Sequence, residues 1–216
     1  MEPMVEYYAK RAAEYERIYA RPERQADLAA LRKRIGAMFK GRRVLEIACG
    51  TGYWTEVIAP QAAEIVALDL NEEVLEIARA KKTPPGRVAY TKGSAYEIPD
   101  LGRRHDALFA GFWWSHVPLA KLDSFLGKAR NAVAPGALIA FLDNRYVEGS
   151  STPVSRTDAE GNTYQSRRLD DGSAHEVLKN FPDEGELLRR ASRAGWGANV
   201  ELLDHYWLLS FWGNRS

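Results

Sequence analysis

Residues 44–53 contain the feature that most constrains how this chain can fold. They read Val-Leu-Glu-Ile-Ala-Cys-Gly-Thr-Gly-Tyr, an apolar run that stops abruptly at Gly50 and Gly52. The pattern predicts a buried strand over 43–48, a tight turn, and a helix that begins near Tyr53. Glycines allow the sharp turn and the close approach of a ligand, and a helix N-terminus offers unpaired N–H groups. The stretch therefore predicts a turn that holds a cofactor.

Four further apolar runs follow, and helical patterns separate the first ones. They predict strands over 64–69, 87–92, 106–110 and 137–142, with helices over 72–81 and 119–133. This alternation favours βαβ units, which form a parallel sheet with helices on both faces. Ligands of such sheets bind at the carboxyl ends of the strands. We therefore expect the residues just after each strand to meet at one edge of a doubly wound α/β sheet.

Two regions lie outside this alternation. Tyr8, Ala12, Tyr15 and Tyr19 have the spacing of one helix face and predict a helix over 4–19, with a second helix beginning near Pro22. We interpret residues 1–40 as a helical cap and residues 41–216 as one domain. Residues 144–182 are polar and rich in turn formers, and we interpret them as an insertion on the substrate side that contains a hairpin near 159–162. A helix over 183–195 and strands over 200–204 and 206–212 complete the prediction.

Composition limits the partners of this chain. Its 216 residues carry a formal net charge of +1 and a single cysteine. Near neutrality argues against nucleic acid or an anionic membrane as the dominant partner, because phosphate binding requires a basic surface. One cysteine fits a reducing compartment, and no apolar run reaches the roughly 18 residues of a membrane span. We expect a cytoplasmic monomer or homodimer.

The glycine turn differs from two common nucleotide motifs. A dinucleotide fingerprint requires a third glycine where this chain has Thr55, and no Gly-Lys-Ser/Thr phosphate loop is present. Asp69 ends the next strand, where a carboxylate can accept hydrogen bonds from both hydroxyls of a ribose. Glu46 is a second carboxylate near the turn, and a buried carboxylate needs a partner, such as an amine-bearing ligand or waters that it orders. The ligand therefore has a ribose but shows little sign of a pyrophosphate.

These motifs resemble those of class I S-adenosylmethionine-dependent methyltransferases over about residues 40–143 and the last two strands. The resemblance implies a Rossmann-like, doubly wound α/β fold. Its seven-stranded sheet would be mostly parallel with one antiparallel strand, and S-adenosylmethionine would be the cofactor. The residues that the resemblance assigns to the cofactor site are Glu46, Ala48, Gly50, Thr51, Gly52, Asp69, Leu70, Ser94, Ala95, Tyr96, Ala110 and Phe112.

Methyl transfer from a sulfonium is an in-line displacement, so the protein mainly aligns the reacting atoms. A base is needed only when the acceptor must lose a proton. His116 follows the fourth strand and is our candidate for that base, because its ordinary pKa suits proton transfer near neutrality. Tyr15, with Tyr8 and Tyr19, is a candidate for positioning the acceptor, and Asp143 for binding a cationic acceptor or orienting the base. The spacing of the histidines predicts no metal site.

Four functions remain open from the sequence. The first is methyl transfer to an oxygen or nitrogen of a small molecule. The second is methylation of RNA or protein, for which the basic residues at 32–34 and 40–43 leave room. A nicotinamide oxidoreductase is disfavoured by Thr55. A protein that binds the cofactor without catalysis is the fourth, because a fold alone does not establish chemistry.

Overall fold

The structure is a computed structural model that describes residues 2–99, 101, 104–195 and 197–212, with residues 2–5 described by their backbone alone. Its strands are β1 (Arg43–Ile47), β2 (Glu64–Asp69), β3 (Val88–Lys92), β4 (Ala107–Gly111), β5 (Leu138–Asn144), β6 (Arg156–Thr157), β7 (Thr163–Arg168), β8 (Ala174–Leu178), β9 (Ala198–Leu202) and β10 (Tyr206–Trp212). Its α-helices are α1 (Glu2–Arg11), α2 (Gln25–Met38), α3 (Tyr53–Ile58), α4 (Glu72–Arg79), α5 (Leu119–Asn131) and α6 (Glu184–Arg193).

Seven of the strands form one sheet in the order β3-β2-β1-β4-β5-β10-β9. Neighbouring strands from β3 to β5 are parallel, whereas β10 is antiparallel to both β5 and β9. The sheet therefore has one antiparallel strand, which confirms the predicted fold class. The order reverses at β1 and β4, so the carboxyl ends of these two strands flank the switch point where ligands of doubly wound sheets bind.

Alternating side chains of the central strands pack on opposite faces of the sheet. Leu45 and Ile47 of β1 belong to a core cluster that includes apolar residues of α5 and α6. Val44 belongs to a second cluster, which includes residues of α2, α3 and α4. This two-residue period places a buried helical layer on each face of the sheet.

The N-terminal region differs from the predicted continuous helix over 4–19. The α-helix ends at Arg11, and a 3₁₀-helix follows over Ala12–Ala20. A 3₁₀-helix brings residues i and i+3 to the same side, and Tyr15 and Ile18 both pack against the second core cluster. The helix near Pro22 begins with a short 3₁₀ turn, Pro22–Arg24, before α2.

The insertion over 144–182 is more ordered than the sequence predicted. Strands β6, β7 and β8 form an antiparallel sheet of their own, and the expected hairpin near 159–162 joins the first two. The second hairpin, between Arg168 and Ala174, was not predicted, because the residues on both sides of it are mostly polar. In the part of the chain described, no helix is long and apolar enough to cross a membrane.

Candidate functional site

A cavity of about 790 Å³ opens at the carboxyl ends of the central strands. We call it the first cavity. Residues that follow β1, β2, β3 and β4 line it, as expected for a doubly wound sheet. Nine of the twelve predicted cofactor residues are in its wall: Ala48, Gly50, Thr51, Asp69, Leu70, Ser94, Ala95, Tyr96 and Phe112.

The backbone of the first cavity is strained at two places. Ala48 follows β1 with φ 52°, and Phe112 follows the adjacent β4 with φ 59°. Non-glycine residues rarely adopt positive φ, and such conformations cluster at ligand sites. Gly50 has φ 55°, and a Cβ built on it would meet no heavy atom within 4 Å. The turn thus presents bare backbone to open space, which fits the close approach of a ligand.

The Asp69 carboxylate is held by backbone on both of its oxygens. Its Oδ2 accepts a hydrogen bond from the N–H of Gly50 at 2.9 Å, and its Oδ1 accepts one from the N–H of Asn71 at 3.0 Å. Burial raises the pKa of Asp69, and these N–H groups act in the opposite direction. The carboxylate is therefore fixed in the cavity wall between the glycine turn and the start of α4.

Three predicted cofactor residues, Glu46, Gly52 and Ala110, do not line the first cavity. Glu46 is 2% exposed, and its Oε2 accepts a 2.7 Å hydrogen bond from the hydroxyl of Thr55. Burial raises the pKa of Glu46 to about 8, so the carboxyl is mostly protonated at neutral pH. The hydrogen-bond partner of Glu46 is thus Thr55, which stands where a dinucleotide fingerprint would have its third glycine. Gly52 packs against Ala78, and Ala110 is fully buried in the sheet.

A second cavity of about 1,050 Å³ adjoins the first. It lies between the N-terminal region and the inserted sheet, and Tyr8, Tyr15 and Phe112 line both cavities. His116 is in its wall and is 3% exposed. The predicted residues Tyr15 and His116 are therefore brought to the same cavity.

His116 makes a hydrogen bond with each ring nitrogen. Its Nδ1 lies 2.6 Å from the carbonyl oxygen of Leu178, and its Nε2 lies 2.8 Å from the hydroxyl of Tyr8. Because a carbonyl can only accept, Nδ1 carries the proton, and Nε2 accepts from Tyr8. The ring therefore orients Tyr8 at the junction of the two cavities.

The surroundings of His116 keep it neutral. Burial, followed by the positive charges of Lys179, Arg167 and Arg11, holds its pKa well below the ordinary value. Burial likewise raises the pKa of Tyr8 to about 12, so the phenol stays protonated. A proton taken up by His116 would lie near three cations, so this geometry favours positioning of Tyr8 over the expected role as a base.

Asp143 lies within β5 rather than past its end, and it lines neither cavity. Its Oδ1 accepts a hydrogen bond from Lys179 Nζ at 2.8 Å, and its Oδ2 accepts one from the N–H of Ser115 at 2.9 Å. Lys179 also donates to the Ser115 hydroxyl at 2.6 Å. This buried cluster joins the inserted sheet to β5 and to the turn that carries His116, so Asp143 has a supporting position.

A hydrogen bond ties the 3₁₀-helix over Ala12–Ala20 to the glycine turn. The Thr51 hydroxyl donates to Glu16 Oε1 at 2.7 Å, and the same carboxylate lies 2.9 Å from Lys81 Nζ. Glu16 belongs to the 3₁₀-helix that carries Tyr15. We call this contact the Glu16 latch, because it holds residues 12–20 over the first cavity.

The sequence interpretation missed the cations of the second cavity. Arg11, Arg24, Arg167 and Lys179 are four of the six that line it, and they come from two separate regions of the chain, the N-terminal region and the insertion. Only Arg11 had a sequence signal, since it lies on the helix already expected to cover a site. The other three are brought together by long-range packing.

The chain matches the Methyltransferase domain family over residues 44–136. Among solved structures, it resembles the DhpI–SAH complex with 30% identity and a TM-score of 0.81, over 99% of this chain and 97% of that one. The DhpI–SAM–HEP complex aligns with 28% identity and the same TM-score, over 97% of this chain and 96% of that one.

Curated relatives match over a shorter region. Ubiquinone biosynthesis O-methyltransferase of Azorhizobium caulinodans is 35% identical over 117 residues, which are 53% of this chain and 46% of that protein. Demethylmenaquinone methyltransferase of Bacillus licheniformis is 30% identical over 112 residues, 50% of this chain and 47% of that protein. The chain thus spans about half the length of these relatives, whereas it covers nearly all of the solved structures above. It belongs to the class I methyltransferases that use S-adenosylmethionine as their cofactor.

Proposed function

We propose that this protein transfers a methyl group from S-adenosylmethionine to an oxygen of a small molecule held in the second cavity. The observation that carries the proposal is the junction of the two cavities at Tyr8, Tyr15 and Phe112. A donor in the first cavity and an acceptor in the second would meet there. Oxygen is preferred over nitrogen because one of the curated relatives is named as an O-methyltransferase.

The first cavity is suited to a nucleoside with an amino-acid tail. Asp69 would accept hydrogen bonds from the ribose hydroxyls with its remaining lone pairs, and the 50–52 turn would receive the amino-acid end. Leu70 and residues 94–96 would line the adenine. When bound, the cofactor supplies a methyl group already activated on a sulfonium. The residues of the chain therefore have to align it with the acceptor and exclude water.

The second cavity is suited to a small acceptor. Its walls come from the N-terminal region, which we propose acts as a cap, and from the insertion, which supplies the opposite side. Tyr15 and Tyr8 would position the acceptor at the junction, and His116 would orient Tyr8. Asp143 would support the wall through Lys179.

Calorimetry separates this proposal from the oxidoreductase alternative. S-adenosylmethionine, S-adenosylhomocysteine and NADH are titrated separately into the purified chain. We expect binding of the first two and none of NADH. Binding of NADH alone would rule out the proposal.

A transfer assay separates it from the alternatives of macromolecular methylation and of binding without catalysis. The enzyme is supplied with methyl-labelled S-adenosylmethionine and a panel of carboxylic, phosphonic and phenolic compounds, alcohols and amines, with RNA and protein in parallel. We expect label in a small oxygen acceptor. Label that appears only in RNA or protein, or in none of the compounds, would contradict the proposed function.

A further inference from the structure

The second cavity carries an excess of positive charge. Six of its lining residues are cationic, namely Arg11, Arg21, Arg24, Arg167, Arg168 and Lys179, whereas the only carboxylate among them is Glu14. The chain as a whole has a net charge of +1. The positive charge is therefore concentrated at this cavity.

Arg11 and Arg167 are among the cations of this cavity that no carboxylate of the described residues neutralises. Lys179 is paired with Asp143 at 2.8 Å. Arg167 donates through Nε and Nη2 to the side-chain oxygen of Gln165, and Arg11 lies over the rings of Tyr7 and Tyr15. In the described part of the chain, neither guanidinium forms an ion pair with a carboxylate. Placing half-buried cations without counter-charges is costly, so the arrangement calls for an anion from outside the protein.

The guanidinium of Arg167 is held in place by its neighbours. Gln165 is 2% exposed, and its amide nitrogen donates to the carbonyl of Thr152 while its oxygen receives Arg167. Arg11 comes from the opposite wall, at the end of α1. Arg11 lies over the ring of Tyr15, which lines both cavities, and Arg11 and Arg167 both line the second cavity, so they face the same acceptor space.

Among the described residues that line the second cavity, no free proton acceptor lies at the junction of the two cavities. The Nε2 of His116 already accepts from Tyr8, and its surroundings are cationic. Glu14 is the remaining acidic group in the wall, and the backbone N–H of Asp170 donates to its Oε1. An acceptor that had to lose a proton would find no suitable base, whereas an acceptor that is already ionised would need none.

We propose that the methyl acceptor is a small ionised acid whose oxyanion lies between Arg11 and Arg167 and is itself the nucleophile. This inference rests on the proposed methyl transfer. An oxygen lone pair of the acid forms the bond to the methyl carbon while the carbon–sulfur bond breaks and its electron pair stays on sulfur. The acid loses one negative charge, the sulfonium becomes a neutral thioether, and no proton moves. Guanidinium groups suit both planar carboxylates and tetrahedral phosphorus oxyanions, since they bind either with two parallel hydrogen bonds.

The first test measures anion binding without turnover. The full chain is saturated with S-adenosylhomocysteine, and inorganic phosphate or acetate is titrated by calorimetry at low salt. We expect at least one of the two anions to bind, and Arg11→Gln and Arg167→Gln each to weaken it tenfold or more, the scale of a lost hydrogen bond to a charged group. Arg167→Lys should recover part of the loss.

Arg156→Gln is the matched control, because Arg156 also lies on the inserted sheet but is paired with Glu176 outside the cavity. It should bind the anion as the wild type does. All variants should keep the wild-type affinity for S-adenosylhomocysteine, which shows that they are folded. Binding of neither anion, or equal anion binding by Arg167→Gln and the wild type, would overturn the inference. Preference for phosphate or for acetate identifies a phosphorus acid or a carboxylic acid.

The second test asks where the methyl group goes. Each carboxylic or phosphonic acid of the labelled-donor panel is paired with an uncharged amide or alcohol of the same carbon skeleton. We expect label in an acid, recovered as the methyl ester of that acid, and none in its neutral partner. Label in the neutral partner would overturn the inference and leave the proposed function standing. Label in no small molecule would contradict the proposed function itself, while the binding test still decides whether the cavity holds an anion.

Discussion

The ammonium of Lys179 lies 2.8 Å from the carboxylate of Asp143, and the two side chains are 4% and 0% exposed. The pair joins the end of the inserted sheet to β5 beneath the second cavity. Removing one member of such a pair leaves an uncompensated buried charge. We therefore expect Asp143→Ala to lower the free energy of unfolding by about 3–5 kcal/mol, measured by urea denaturation.

A double-mutant cycle tests that pairing. Adding Lys179→Met to Asp143→Ala should cost less than the sum of the two single changes, because the isolated charge is then gone. Strict additivity of the two changes would show that the ion pair does not stabilise the fold.

The lowered pKa of His116 predicts how the free energy of unfolding changes as the pH falls. Burial and the charges of Lys179, Arg167 and Arg11 lower its pKa in the folded state below the ordinary 6.5. As pH falls below 6.5, His116 therefore takes up a proton in the unfolded chain before it does so in the folded chain. Protonation thus favours the unfolded chain, and the free energy of unfolding falls below pH 6.5 but is unaffected by His116 well above it. The slope contributed by one group is at most about 1.4 kcal/mol per pH unit. We expect His116→Gln to flatten the acid side of the curve of unfolding free energy against pH.

An acid side of the curve that is as steep in His116→Gln as in the wild type would contradict this account of His116.

Asp69 should determine the affinity for the cofactor. Asp69→Ala removes the carboxylate from the wall of the first cavity, and with it the acceptor to which the N–H groups of Gly50 and Asn71 donate. Hydrogen bonds to charged groups contribute about 1.5–3 kcal/mol each, so we expect the affinity for S-adenosylhomocysteine to fall at least tenfold in calorimetry. Asp106→Ala is the matched control, because its carboxylate accepts a backbone N–H from Arg43 at the opposite end of the sheet. A similar loss in both variants would argue against a ribose contact by Asp69.

Replacing Gly50 and replacing Gly52 should have different effects on thermal stability and on cofactor affinity. A Cβ on Gly52 would lie 3.0 Å from that of Ala78, so Gly52→Ala combines a strained φ of 77° with a clash against α4. A Cβ on Gly50 would meet no heavy atom within 4 Å, so Gly50→Ala has the strain of a positive φ of 55° without a clash. We expect both substitutions to lower the thermal midpoint, Gly52→Ala more than Gly50→Ala because only the first adds a clash, and we expect Gly50→Ala to lower cofactor affinity. The reverse order would contradict this account of the turn.

The Glu16 latch should control exchange of the cofactor. Glu16→Gln keeps the shape of the side chain but removes its charge toward Lys81 and weakens the contact to Thr51. We expect faster dissociation of S-adenosylhomocysteine in stopped-flow fluorescence, with little change in thermal stability. Glu6→Gln, which breaks an exposed pair with Lys10, should leave dissociation unchanged. Equal dissociation rates of S-adenosylhomocysteine in Glu16→Gln and Glu6→Gln would show that the Glu16 latch does not limit release of the cofactor.

The parts predicted well from the sequence were those with local signals. Strand β1 and the glycine turn depend on an apolar run and two glycines within ten residues, and Asp69 ends a strand that is equally plain. The parallel sheet follows from that alternation because the connections between its strands are short. Nine of the twelve predicted cofactor residues accordingly lie around one cavity.

The second cavity could not be predicted in the same way. Arg167 and Lys179 lie on mostly polar stretches with little apolar contrast, and Arg11 lies more than 150 residues earlier in the chain. The role expected of Asp143 came from placing the end of β5 too early, whereas its pairing with β10 extends the strand to Asn144. Contacts between distant regions decided the positions of all four residues.

Tyr8 and Tyr15 belong to the walls of both cavities and to one short N-terminal region. A single movement of that region would expose the donor and the acceptor to solvent together. Entry and exit of the two ligands would then depend on the same movement. An acceptor that links Arg11 to Arg167 would hold the N-terminal region in place until the charge of the acceptor is neutralised. Methylation would thereby weaken the contact that confines the product.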